Sequence, residues 1–266
     1  MRLVCMVVFS ALIGLKAFAA EPAQVMLEDL TWTDVQQAIK GGATTVIIPV
    51  GGTEQSGPHM ALGKHNVRVK VLAAKIATRL GHTLVAPVIN YVPEGAITPP
   101  QGHMRFTGTL SVSAEAFGGV VEGAVRSLKQ HGFRHIVLIG DHGGYQAQLK
   151  SIAARLDREW STTPTRVHFI EAYYRVAQKP YEDALRAKGL SDVQIGIHAG
   201  SADTSLMMAI DPSLVRPERF DEAAREGVGA GTVGDPRKSS AALGELGVDL
   251  IVARTVEAIR AAEAHR

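Results

Sequence analysis

Three short runs of this chain concentrate groups able to bind a metal ion or move a proton. They are "GGTEQSGPHMALGKH" (51–65), "DHGG" (141–144) and "HAGSADTS" (198–205). With His103 in "PPQGHMRFTGT" (99–109) they supply Glu54, His59, His65, His103, Asp141, His142, His198 and Asp203. Imidazole and carboxylate donors in one set suit zinc, manganese or iron. A divalent cation held with an open coordination position lowers the pKa of bound water to about 7 and polarises a carbonyl. Hydrolysis is the chemistry such a set implies. The adjoining glycines let the backbone turn sharply enough for ligands to converge.

Other chemistries lack their signatures. No H-E-x-x-H helix motif is present. "GPHMALGKH" (57–65) has a Gly-Lys pair, but no Ser or Thr follows Lys64, so it is not a phosphate-binding loop. Ser56 lacks the G-x-S-x-G elbow of a serine hydrolase. Each candidate also has a plainer reading. His59 and His65 suit loop histidines bonded to backbone. Asp141 suits a helix cap, and Asp203 the acid-favouring first turn of a helix. His82, His131, His135 and His168 are assigned to surface or packing roles. The case for function is collective, because the clusters all fall at the ends of predicted elements.

Those elements follow from hydrophobic patterning. "TVIIPV" (45–50), "TLVAPVI" (83–89), "HIVLIG" (135–140) and "RVHFIEA" (166–172) read as buried strands. Helices are predicted over 66–81, 113–132, 145–158 and 203–210. In 113–132 Ser113 is the N-cap, and Phe117, Val120, Val121, Ala124, Val125 and Leu128 recur at helical spacing. Apolar strands alternating with helices predict a largely parallel sheet covered on both faces. Sites in such sheets form at the carboxyl ends of strands, where these clusters fall. The irregular stretch 90–112 is long enough to be functional. The Gly- and charge-rich stretch 218–240 is expected to be a surface excursion.

At the N-terminus, Arg2 precedes the apolar run "LVCMVVFSALIGL" (3–15), and "AFAA" (17–20) offers a small-residue cleavage site. The run is in the range of a signal peptide and short for a membrane span. We expect residues 1–20 to be a signal peptide cut after Ala19 or Ala20, leaving one α/β domain over 21–266, secreted or periplasmic. No later segment is apolar enough to insert stably in a membrane. The single cysteine, Cys5, lies in the leader, so metal ligands in the mature chain must be His, Asp and Glu. The net charge of +2 and the lack of a basic patch with interleaved aromatics give no sign of nucleic-acid binding.

Four ordered motifs resemble the creatininase family. "PVGGTEQSGPHMALGKH" resembles its Pro-Val-Gly-Ser-Thr-Glu-Gln-His-Gly-Pro-His-x-Pro-Leu-Gly-x-Asp run, and "IGDHGGYQ" its Asn-Gly-His-Gly-Gly-Asn. "FTGTLSV" resembles Phe-Pro-Gly-Thr-Ile-Ser, and "HAGSADTSLMMAIDP" its His-Ala-Gly-x-x-Glu-Thr-Ser run. Order and spacing agree over roughly residues 30–215. The resemblance implies a three-layer α/β/α sandwich with a mainly parallel central sheet, a homo-oligomer such as a hexamer, and hydrolysis of amide, cyclic amide or formamide bonds in small molecules by a metal-activated water. Glu54 and His142 match family ligands, and Asp203 stands where the family has a glutamate. His198 stands where the family has a histidine close to substrate.

Two departures bear on metal count. The family's ligand histidine is Ser56 here, and its bridging aspartate is His65. A neutral imidazole cannot bridge two cations as a carboxylate does. The expected site therefore holds one divalent cation, zinc, manganese or iron, on Glu54, His65, His142 and Asp203. Asp141 adds a charge beside His142, which it orients or joins as a ligand, and His198 serves as proton shuttle or oxyanion donor. His59, His103 and Arg105 are assigned to the small-molecule substrate. An alternative is a non-catalytic periplasmic protein that kept the fold and binds a small molecule or metal. The leader reading is checked by N-terminal sequencing of exported material: a start at Ala20 or Glu21 is expected, and Met1 on soluble cytosolic protein overturns it.

Overall fold

The computed structural model describes residues 24–264; the expected signal peptide lies outside them. The elements run in the order α1 (Trp32–Lys40), β1 (Thr45–Val50), α2 (Lys64–Leu80), β2 (Thr83–Val85), α3 (Ala114–Gln130), β3 (His135–Gly140), α4 (Gln146–Glu159) and β4 (Arg166–Phe169). There follow α5 (Ala172–Gln178), α6 (Pro180–Ala187), α7 (Asp192–Ile195), α8 (Ser201–Ile210), α9 (Phe220–Glu226) and α10 (Ala241–Ala264). All pairings in the sheet are parallel, in the order β2-β1-β3-β4.

Strand residues alternate between two cores. Ile47, Val85, Val137 and Ile139 face α2, α5 and α10, together with Leu72, Ile76, Tyr173, Ile251 and Val252. Val46, Ile48, Leu84, Ile136 and Leu138 face α3 and α4, with Phe117, Val121, Val125, Leu149 and Leu156. The result is the three-layer α/β/α arrangement expected. Ser113 caps α3 by accepting the Ala116 N–H at 3.1 Å. Among the described residues, no helix is long and apolar enough to cross a membrane.

Several boundaries differ from the sequence reading, and three bear on the site. The second strand ends at Val85 rather than 89, because Pro87 has no N–H for the ladder; only a bridge between Val50 and Ile89 continues it. The fourth strand ends at Phe169, and the chain turns into α5. Helix α2 starts at Lys64, which moves Lys64 and His65 from the loop into the first helical turn.

The stretch 218–240 lies largely at the surface, as expected, and also forms a wall of a cavity. It contains α9, and Val233 pairs antiparallel with His198. Glycine makes this close approach possible. A Cβ on Gly234, whose φ is +156°, would lie 2.6 Å from the Gly200 Cα and 2.9 Å from the Gly196 Cα. Forced separation of these backbones acts on His198. Gly234→Ala is expected to destabilise the fold by about 1–3 kcal/mol in urea unfolding. Gly229→Ala, with nothing within 4 Å of its added carbon, should leave the midpoint unchanged.

Candidate metal centre

The chain moves from β1 leftward to β2 and then returns to the other side of β1 for β3, so the strand order reverses between β1 and β3. Loops leaving the carboxyl ends of these two strands diverge and open a crevice. The 51–65 loop and Asp141–His142 arise there. Tyr145 ties the two strand ends together. Its hydroxyl lies 2.8 Å from the Val50 carbonyl and 2.6 Å from that of Gly51, and accepts the N–H groups of Asp141 (3.1 Å) and His142 (3.0 Å). Burial holds this phenol well above its usual pKa, so it stays a donor. Asn66 shapes the first loop, accepting the Gly52 N–H at 2.8 Å and donating to Thr53 Oγ1 at 3.0 Å.

At the floor of the crevice the Glu54 carboxylate is fully buried with four imidazoles around it. His65 Nε2 is 2.8 Å from Oε1, and His198 Nδ1 is 3.8 Å from the same oxygen. His103 Nε2 is 3.1 Å and His142 Nε2 3.5 Å from Oε2. Neither makes a hydrogen bond there, so Oε2 is buried and unpartnered. Burial alone would raise the Glu54 pKa, but Lys64 and His65, with His142, outweigh it and keep the group ionised. Burial lowers His103, takes His142 to about 4 and His198 to about 3. At neutral pH these rings are therefore uncharged, the form that ligates metals.

The four rings differ in what lies behind them. His65 Nδ1 is 2.6 Å from Asp141 Oδ2, and a carboxylate behind an imidazole fixes its tautomer and turns the other nitrogen forward. His142 Nδ1 instead accepts the Gly144 N–H at 3.3 Å, with Glu94 Oε2 3.4 Å away and not hydrogen-bonded to it. His103 and His198 are backed instead by Gln55, whose Nε2 lies 3.0 Å from His103 Nδ1 and 3.2 Å from His198 Nε2. The Gln55 carbonyl is 3.0 Å from the same His198 nitrogen. Two ligand groups thus share one carboxylate: Glu54, His65 and His142, and Glu54, His103 and His198.

Around them runs a chain of buried ion pairs. Lys64 Nζ is 3.5 Å from Glu54 and 3.3 Å from Asp203. Arg68, one helical turn on, donates Nε to Asp141 at 2.8 Å and Nη1 to Asp203 at 2.8 Å. Tyr173 donates to the remaining Asp141 oxygen at 2.8 Å. Both oxygens of Glu94 are buried without a hydrogen-bond partner. Burial and the neighbouring Glu54 charge push Glu94 up to about 9, so without a cation it holds a proton. Glu54, Glu94, Asp141 and Asp203 outnumber Lys64 and Arg68, and an excess of buried carboxyl groups suits a divalent cation. Orphaned carboxylate oxygens and forward-facing imidazoles fit such an ion.

The crevice opens into a cavity of about 700 Å³ lined by Glu54, His65, His103, His142, His198 and Arg105 among others. Three expectations need correction. His59 is fully buried, with Nε2 2.9 Å from Thr204 Oγ1 and its ring against Phe220. It fastens the loop to α8 and does not line the cavity, so it cannot touch substrate. Asp203 belongs to neither ligand group, because Arg68 holds Oδ1 while Lys64 and the Ala199 N–H (3.0 Å) hold Oδ2. Asp141 backs His65 rather than the adjacent His142, and its oxygens are fully engaged. His103 lies closer to Glu54 than a residue binding substrate alone would. Arg105 is exposed at the rim.

Sequence reasoning passed over Glu94, Lys64, Arg68 and Gln55. Glu94 lies in "VPEGA" within the long 90–112 stretch. Lys64 and Arg68 stand four apart around His65, and a basic residue where a helix start favours acids was the available signal.

A sheet crevice in which four histidines converge on one buried carboxylate defines a metal-binding α/β/α protein. The family model for creatininase, described as creatinine amidohydrolase, matches residues 28–259, and the chain belongs to the creatininase family. It is similar to the creatinine amidohydrolase of Pseudomonas putida, 26% identical over 89% of this chain and 96% of that one. It is also similar to the mycofactocin precursor peptide peptidase of Mycobacterium tuberculosis, 27% identical over 75% of this chain and 78% of the relative. Two solved creatininases, a manganese form and a variant of Zn-Zn type, superpose with a TM-score of 0.71 each. They are 27% and 26% identical, covering 89% of this chain and 98% and 97% of theirs. The protein is a metal-dependent hydrolase of this family.

Glu94 gives the metal-free site a pH signature. Its folded pKa of about 9 exceeds the ordinary 4.5, so the folded state binds more protons than the unfolded one between these values. Stability from this group is present at low pH and falls as pH rises toward 9. Thermal unfolding of chelator-treated protein should reveal a falling midpoint above neutrality that Glu94→Gln flattens. An equal slope in the variant would assign the effect to another group.

Proposed function

We propose that the cavity holds one divalent cation on Glu54, His65 Nε2 and His142 Nε2 and hydrolyses the C–N bond of a small amide, cyclic amide or formamide. The observation that carries this choice of ligands is the Asp141 carboxylate hydrogen-bonded behind His65, with His142 completing the group around Glu54. The amide-backed pair, His103 and His198, is left to face substrate. When bound, the cation polarises the scissile carbonyl and acidifies the attacking water.

The residues do the rest. Asp141, anchored by Arg68 and Tyr173, keeps the His65 ring turned toward Glu54. The His198 Nε2–H donates to the Gln55 carbonyl and leaves Nδ1 facing the cavity as a proton acceptor. A ring that holds a proton as weakly as His198 passes it on readily to the departing nitrogen. His103 and Arg105 on the 102–105 turn offer polar contacts to the part of the molecule nearer the rim. The two relatives' names, one a creatinine amidohydrolase and the other a peptide peptidase, bracket the amide-bearing molecules to screen. We further infer export of the mature chain, from "AFAA", and assembly as a homo-oligomer, which the exposed Ile197, Val228 and Val233 beside the cavity mouth support.

Metal analysis tests the ligand set. Glu54→Ala and His142→Ala should each lose most bound metal after dialysis and all hydrolysis of formamides and cyclic amides. Asp141→Asn should weaken metal affinity about 10–100-fold while the fold persists. Full occupancy in both alanine variants would place the metal elsewhere.

A further inference from the structure

We infer that the Lys64 ammonium stands in for a second metal ion and holds the site to one. This rests on the one-ion reading above. Two ligand groups are built around Glu54, and each spans both of its oxygens: Oε1 faces His65 and His198, and Oε2 faces His103 and His142. Geometry alone would admit an ion in each. Lys64 Nζ, however, sits between Glu54 Oε1 and Asp203 Oδ2, at 3.5 and 3.3 Å. It occupies the position from which a cation would join those two carboxylates.

The placement needs an explanation, because it runs against two tendencies. Lysine is almost never fully buried unless paired, yet Lys64 is 1% exposed. It is also the first residue of α2, where the helix dipole disfavours positive charge. Only the surrounding carboxylates offset these costs. Arg68 completes the arrangement by holding Asp203 Oδ1, so that Asp203 is turned toward the ammonium and kept from the histidines. A second divalent cation beside Glu54 would lie within a few ångströms of the ammonium in a poorly screened interior. The two-ion state carried by the solved creatininase of Zn-Zn type is therefore opposed in this chain by the ammonium, in addition to the donors changed at positions 56 and 65.

Neutralising Lys64 should open it. Lys64→Met keeps the stem and removes the charge, freeing Glu54 Oε1 on the side of His198. The experiment loads wild type and variants with Mn²⁺, desalts them, and reads metal per chain and electron paramagnetic resonance. One ion per chain is expected in wild type and in Lys64→Arg. Lys64→Met should hold two, with the exchange-coupled signal of a pair. A folded Lys64→Met that still holds one ion overturns this inference and leaves the one-ion reading standing. Wild type holding two ions overturns both, and wild type holding none overturns the metal reading itself. Lys64→Gln, which keeps a donor toward Asp203, is the variant to read if the methionine variant does not unfold cooperatively. Wild type titrated with excess Mn²⁺ gives a further check free of any folding defect: a coupled pair forming in the presence of Lys64 overturns the inference.

Discussion

The constraint on which the site depends is the burial of one carboxylate. Glu54 is fully shielded from solvent and ionised. Removing such a charge from water costs several kcal/mol unless partners replace the lost hydration. Here the partners are four imidazoles and an ammonium. That demand explains why the strand-end loop, the first turn of α2, the 102–105 turn, the loop after β3 and the segment before α8 all converge on one point. The four-stranded sheet supplies the place, since its order reverses between β1 and β3.

Each partner must itself be held, and the second ring of contacts follows. Asp141 backs His65, so Arg68 and Tyr173 back Asp141. Arg68 then extends to Asp203, which also holds the Ala199 N–H at the entrance to α8. Helices on one face of the sheet are thereby stitched to the crevice by polar contacts rather than by the apolar core alone. Networks of this kind gain little net stability, because desolvation opposes pairing. Their effect is geometric: every ring has one orientation. Glu94 is the member left over. With two orphaned oxygens and a proton held to about pH 9, it is poised to ionise only when a cation arrives.

Much of this was legible before any coordinates. The alternating strands and helices fixed a parallel α/β sheet, and polar clusters at strand ends marked the crevice. Glu54, His65, His142, His103 and His198 do meet there. What the sequence hid was pairing across long separations. Asp203 reads as a ligand because it stands where the family pattern has a glutamate, yet Arg68, 135 residues earlier, claims it. His59 reads as a site histidine because it shares a loop with Glu54, yet Thr204 lies behind it. Lys64 and Arg68 look like ordinary solvated helix charges until the helix start shifts by two residues and turns both inward. Pro87 likewise acts through a missing N–H that matters only once its neighbour strand is known.

The departures of this chain from the family pattern are connected through charge. Where that pattern has an aspartate at position 65 this chain has histidine, which removes a carboxylate from the floor of the crevice. A carboxylate reappears at Asp141, where the pattern carries no acid, 2.6 Å behind the new imidazole. The negative charge is thus kept and moved one layer back, while the atom offered forward changes from oxygen to nitrogen. An oxygen ligand of that kind can bridge two cations, whereas a single imidazole nitrogen serves one. Arg68 makes the exchange workable, because an Asp141 without its guanidinium would be a second buried charge in need of hydration. The same helix turn that presents His65 also delivers Lys64 and Arg68. One register of α2 therefore sets the ligand, the counter-charge of the carboxylate behind it, and the ammonium beside Glu54. The substitutions at 65 and 141 are physically coherent only as a pair, and only on a helix that begins at Lys64.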